Sequence, residues 1–186
     1  METTVIEGIA ATDVLRQEHQ SIKDLMRQFE DATTDRQKKS IGDAALRLIE
    51  VYTMLQEELF YPAVRRSVGE RQRVVQALAA LQVAKLLIKE LKGLSGGEHY
   101  NARFNILKEN IVQHVDEAER DILPRLENAK MDLQQLAQQM IELKGRVKQR
   151  LSQRFDGRTF AAVAAGATVI GVAAFLINQF RNSRNA

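Results

Sequence analysis

Leu15-Arg-Gln-Glu-His19-Gln-Ser-Ile22-Lys23-Asp-Leu25 and Ile111-Val-Gln-His114-Val-Asp-Glu-Ala118-Glu-Arg-Asp-Ile122-Leu-Pro124 are the two stretches that decide how this chain folds. In each, apolar residues recur at every third or fourth position, the spacing that gathers them on one face of a helix. Each also places a histidine on that apolar stripe, where the interior of a helical bundle holds its metal ligands. A third stretch, Tyr52-Thr-Met-Leu-Gln56-Glu-Glu-Leu-Phe-Tyr61-Pro62, repeats the layout with tyrosine in the histidine's place. The offset to the proline is the same in both, Tyr52 to Pro62 and His114 to Pro124.

Across the rest of the chain, the periodicity predicts four helices with short connections. Thr12 or Asp13 caps the first, and Val14, Leu15, Ile22, Leu25, Met26 and Phe29 form its stripe. The polar run Asp31 to Lys39 ends it. A second helix is expected from about Ser40 to Phe60, stopping near Pro62. A third runs from about Arg71 to Leu91, closed by Gly93 and the Ser95-Gly96-Gly97 turn, and a fourth from Tyr100 to Leu123, ending at Pro124. Four such helices fit an antiparallel bundle. A fifth, amphipathic helix comes next, from about Met131 to Phe155. His99 follows Gly-Gly-Glu in a turn and reads as a solvated loop residue.

Composition agrees. The 186 residues include only 2 prolines and no cysteine or tryptophan, a balance that favours helix and excludes disulfides, thiolate metal sites and a cysteine nucleophile. The net charge of +3 hides an asymmetry. Acidic residues outnumber basic ones up to position 141, whereas Lys144, Arg146, Lys148, Arg150, Arg154 and Arg158 face only Glu142 and Asp156. This is a basic collar, not a basic surface interleaved with aromatics, so nucleic acid is not an expected partner. Glycine-rich phosphate loops, nucleophile elbows and zinc motifs are all lacking.

The helical pattern and the two matched proline offsets resemble the hemerythrin-like (HHE cation-binding) family over nearly all of residues 12–151. That resemblance implies two irons inside the bundle, held by histidines on the first and third helices and His-x-x-x-Glu pairs on the second and fourth. Glu57-Glu58-Leu59-Phe60-Tyr61-Pro62 also has the family's acidic stretch with an aromatic-proline ending. Carried over position by position, His19 matches the first-helix ligand and His114 the fourth-helix histidine. The other four places hold Tyr52, Gln56, Leu81 and Ala118, with Leu81 fixed by aligning Lys85 and Glu90. Glu57 and Glu119 lie one residue beyond the lost carboxylates, rotated about 100° around the helix, and serve only after a register shift. A pair of cations needs charge-balancing carboxylates. His19 and His114 are therefore expected as core histidines hydrogen-bonded to Tyr52 and Gln56, with no cofactor; iron is the alternative.

From Phe160 to Ile177 the chain carries no charge. Eighteen helical residues span about 27 Å, near the minimum for a hydrocarbon core. Behind the basic collar this reads as a single-pass membrane helix over residues 159–180, with the bundle facing the cytoplasm and lipid as a partner. Ala162 with Gly166, and Ala167 with Gly171, give small-residue spacings suited to a partner helix or homo-oligomer.

The expected fold is thus all-α: a hemerythrin-like antiparallel four-helix bundle over residues 12–130 after an extension of residues 1–11. An amphipathic helix with its collar follows at 131–158, then the transmembrane helix at 159–180 and a tail at 181–186. The expected function is a non-enzymatic, membrane-anchored structural or interaction module without a working di-iron site. Two alternatives stand beside it: a divergent metal-binding or oxygen/redox-sensing protein, and a soluble bundle whose last helix is buried in an oligomer.

Overall fold

The computed structural model describes residues 8–154. Two compact units divide the chain, residues 1–147 and 148–186, and of the second only the end of the last described helix, 148–154, is described. Within the described residues the first unit is all helical: α1 (Ala11–Asp31), α2 (Asp35–Leu55), a π turn π1 (Gln56–Phe60), α3 (Tyr61–Ser67), α4 (Arg71–Lys92), α5 (Glu98–Glu117), a second π turn π2 (Ala118–Ile122), α6 (Leu123–Glu127), and α7 (Leu133–Arg154) that runs into the second unit. The helices α1, α2, α4 and α5 make the four-helix bundle that the periodicity predicts, with α1 against α2 and α4 against α5 as its most extensive pairings.

The starts of the first two helices are set by local chemistry. Ala10 precedes α1, and Asp13 three residues on accepts the Ala10 backbone N–H at 3.1 Å, so Asp13 acts from inside the first turn and not as the cap itself. At α2 the reciprocal arrangement is complete. The Thr34 hydroxyl accepts the Gln37 N–H at 3.2 Å, and the Gln37 side chain accepts the Thr34 N–H at 3.2 Å. This cap starts α2 at Asp35, five residues ahead of the expected Ser40.

Both prolines were expected to stop a helix, and both helices run through them. Proline lacks an N–H and its ring crowds the carbonyl four residues back. In each helix the chain widens by one residue just ahead of the proline: Tyr61 N–H bonds to the Gln56 carbonyl, and Leu123 N–H to the Ala118 carbonyl. The inserted residue rotates the downstream helical segment by about 100° relative to an uninterrupted α-helix.

The core is filled by Leu15, Ile22, Ile49, Leu55, Leu81, Phe104, Leu107 and Ile111, all fully buried. Phe29 stacks on Phe104 with centroids 4.0 Å apart, and Phe104 on Tyr100. In α7, Leu136, Ala137, Met140, Leu143 and Val147 share one buried face, while Lys144 reaches the buried carboxylate of Glu18 on α1.

The transmembrane part of the expected fold class is corrected. Among the described residues no helix is long and apolar enough to cross a membrane. The helices of 20 to 22 residues have the length, but each carries charged residues along it, as α7 does with Lys144 and Arg146. The expected placement as a single-pass membrane protein with its bundle in the cytoplasm falls with the same finding. Residues 159–180, with Ala162, Gly166, Ala167 and Gly171, lie outside the described residues.

One close approach offers a direct check on the packing. A Cβ placed on Gly42 in α2 overlaps the Tyr100 hydroxyl of α5 and lies 3.0 Å from two ring carbons. The ring has no room to retreat, being fully buried with its hydroxyl donated to Asp43 at 3.2 Å. Gly42→Ala is expected to destabilise the bundle by about 1–2 kcal/mol in urea titration, overpacking outweighing the gain in helix propensity of about 1 kcal/mol.

Candidate functional site

The six positions singled out in the sequence are all buried in the bundle: His19 on α1, Tyr52 on α2, Gln56 opening π1, Leu81 on α4, His114 near the end of α5 and Ala118 opening π2. Two further residues join them. Tyr61, the first residue of α3, is fully buried, and Glu119 lies in π2 at the rim, its side chain 35% exposed.

His19 is held at both ring nitrogens. Its Nδ1 lies 3.0 Å from Glu119 Oε1, and its Nε2 lies 3.0 Å from the Tyr52 hydroxyl. A carboxylate only accepts, so Nδ1 carries the proton, and Nε2 accepts from the Tyr52 O–H. The other Glu119 oxygen takes a bond from Lys23 Nζ at 3.1 Å, and Lys23 also reaches Asp116 at 2.8 Å. A continuous hydrogen-bonded path thus runs from a buried tyrosine through a neutral imidazole to a carboxylate and an ammonium at the surface.

His114 is held more loosely. Its Nε2 lies 3.4 Å from the Tyr61 hydroxyl. The Tyr52 ring stands edge-on to both imidazoles, with centroids 5.5 Å from His19 and 6.0 Å from His114. Gln56 lies beside Tyr52, near enough to ease ionisation of its phenol, but neither polar atom of its amide has a well-formed hydrogen bond among the described residues.

Burial sets the protonation of this cluster. It pushes the His114 pKa down to about 4, with the neighbouring His19 adding to the effect. Burial also lowers His19, against the opposing pull of Glu119. The phenols of Tyr52 and Tyr61 are both raised, again chiefly by burial. At neutral pH the cluster is two neutral imidazoles and two protonated phenols, able to hold protons at fixed atoms but without a strong nucleophile. Among the described residues no group of three or more His, Cys, Asp or Glu is placed to hold a metal ion.

The structure brings His19 to Tyr52 as expected, whereas His114 takes Tyr61 and not Gln56. The aromatic-proline ending was the signal for Tyr61, unread because a helix stop was expected at that proline. Glu119, the second residue of π2, reaches His19 from the rim. Glu57, the second residue of π1, turns instead to Lys85 at 2.8 Å and Gln82 at 2.7 Å on α4. His99 is exposed in the first turn of α5.

The model of the hemerythrin HHE cation-binding domain family matches residues 10–126. A solved structure similar to the chain is that of a hemerythrin HHE cation-binding domain-containing protein from Mycobacterium kansasii. It is 23% identical, with a TM-score of 0.66 over 82% of this chain and 96% of that one. At that identity the likeness is one of fold. No curated protein matches the chain.

The two buried histidines predict an acid-sensitive core. His114 ionises near 4 when folded and near 6.5 when unfolded, so between those values the unfolded chain binds the extra proton. Stability is complete above pH 7 and falls as the pH drops from about 6.5 toward 4, by up to roughly 3 kcal/mol from this residue. His19 contributes with the same sign. Urea midpoints from pH 8 to pH 4.5 are expected to show that fall, and His114→Phe to make it shallower, leaving the part due to His19.

Proposed function

This chain belongs to the hemerythrin HHE cation-binding domain family, and on that basis we propose that its bundle is a non-enzymatic interaction module whose inherited cation position has become a hydrogen-bonded core. One observation carries the reading: the two histidines at ligand positions are engaged by phenols and by one rim carboxylate, with Tyr52, Gln56, Leu81 and Ala118 in the remaining places. This donor set does not fit a pair of divalent cations. Two neutral imidazoles bring no negative charge, Leu81 and Ala118 bring no donor atom, and Tyr52 and Tyr61 keep their protons because burial raises both. Glu119 is the carboxylate hydrogen-bonded to the cluster, and it is already shared between His19 and Lys23, while the buried Glu18 next to His19 is taken by Lys144. Charge balance for two buried dications requires more than one such group.

A second reading has its own observation. The π2 turn delivers Glu119 to within 3.0 Å of His19, which favours a divergent metal-binding or redox-sensing site built from His19, His114 and that shifted carboxylate. Metal content separates the two. Full-length protein purified from iron-replete cells is expected to carry far less than one iron per chain and to show no visible charge-transfer band. Near-stoichiometric iron overturns the first reading, and its loss in Glu119→Ala establishes the second.

A further inference from the structure

The helix α4 is apolar on two opposite faces. Its inner face, Val74, Ala77, Leu81, Ala84, Leu87, Ile88 and Leu91, is buried in the bundle. At 100° per residue, Val75, Ala79, Val83 and Leu86 fall on the side turned away from that face. Val75 is 66% exposed, Val83 45% and Leu86 64%, and Ala79 between them is exposed as well. No charged residue occurs from Val74 to Ala84. The patch continues onto α5. Arg103 of α5 pairs with Glu90 of α4 at 3.2 Å, and one turn inward from that pair Ile106, 46% exposed, comes level with Leu86. Large exposed apolar side chains gathered on one strip, rimmed by polar ones, mark an interaction surface.

We propose that this face binds a second copy of the chain, with the two α4 helices antiparallel across a two-fold axis near residues 80 and 81. The inference supplies a partner for the interaction module proposed above and rests on that reading. Two features of the strip point to a second copy. Reversed on itself, it sets Val75 across from Leu86, and the small Ala79 across from Val83, so a large side chain meets a small one at the centre and the backbones come close. The ends are complementary in charge. The same axis sets Arg71, whose side chain makes no ion pair among the described residues, across from Glu90 of the second copy. A parallel arrangement sets Arg71 against Arg71 and Glu90 against Glu90. A two-fold interface uses one patch twice and so requires such self-complementarity. The 22 residues of α4 give the paired helices a contact line about 33 Å long, with the apolar strip from Val75 to Leu86 at its middle and Arg71 and Glu90 at its ends.

The chain has no cysteine, which permits a sharp test on the full-length protein. Val75→Cys and Leu86→Cys are made separately at exposed positions, so neither disturbs the core, and circular dichroism checks the fold. On mild oxidation, mixing the two variants is expected to give a disulfide-linked dimer that neither forms efficiently alone. Sedimentation of the wild type is expected to show a dimer, and Leu86→Arg to weaken it at least tenfold. Arg71→Glu is expected to weaken it, and Arg71→Glu with Glu90→Arg to restore it. A wild-type monomer overturns the inference, whether the face then lies open or is covered by another segment or a different protein. So does a dimer indifferent to Leu86→Arg, or one in which Val75→Cys cross-links only to itself. Iron content is read from the same samples. Iron-loaded protein that dimerises refutes the reading of the core and keeps the interface, whereas iron-free monomer does the reverse.

Discussion

The missing N–H of proline governs the interior of this bundle. Pro62 and Pro124 sit where a regular helix needs a donor to the carbonyls of Glu58 and Arg120. Instead of breaking, both helices open by one residue into π turns closed by Tyr61 and Leu123. Each π turn works as a rotation joint. Before it, α2 and α5 present Tyr52 and His114 inward; after it, the register has advanced by about 100°, and Tyr61 meets His114. The polar core is thus a consequence of where two helices are forced to widen, a feature often found at functional sites.

That core is costly to build, and its composition reflects the cost. A buried imidazole is tolerated when neutral and hydrogen-bonded, which is the state that the two tyrosines allow. Each phenol holds its proton because burial raises it; Tyr52 donates its O–H to His19, and the Tyr61 hydroxyl lies against His114 Nε2. Gln56 is held least firmly: its buried amide sits beside the Tyr52 phenol without a well-formed hydrogen bond among the described residues.

How much of this was legible before the structure depended on which rule governed each residue. The bundle followed from helical periodicity, because apolar stripes at Leu15, Ile22 and Phe29, or at Ile111, Ala118 and Ile122, leave few other arrangements. The same periodicity hid the π turns. It assumes a constant rotation per residue, and prolines read locally as stops hid that both helices continue. Tyr61 could therefore be located in the sequence but not aimed. On α4 the difficulty was different: Val75 and Val83 were indistinguishable from core residues by type, and only burial separates them from Val74 and Leu81. The C-terminal apolar run fitted a membrane span by length and charge, but no described helix has that character.

A helix that is apolar on two sides raises the question of which side enters the core. Hydrophobic burial is non-directional and distinguishes the faces of α4 weakly. The edges supply the distinction. Lys85 pairs with Glu57 and Lys92 with Glu50 along the border with α2, while Glu90 pairs with Arg103 along the border with α5. Each pair is partly exposed and on its own worth about 1 kcal/mol or less. Together they act against the wrong rotation, which exchanges the two borders and parts every pair while burying Gln72, Gln76 and Gln82 from the outer face. Charge thus fixes the orientation that hydrophobicity leaves open. Because the orientation is secured at the borders, the outer strip of α4 is free to stay apolar without competing for the core, and a second surface of the same character becomes available for contact.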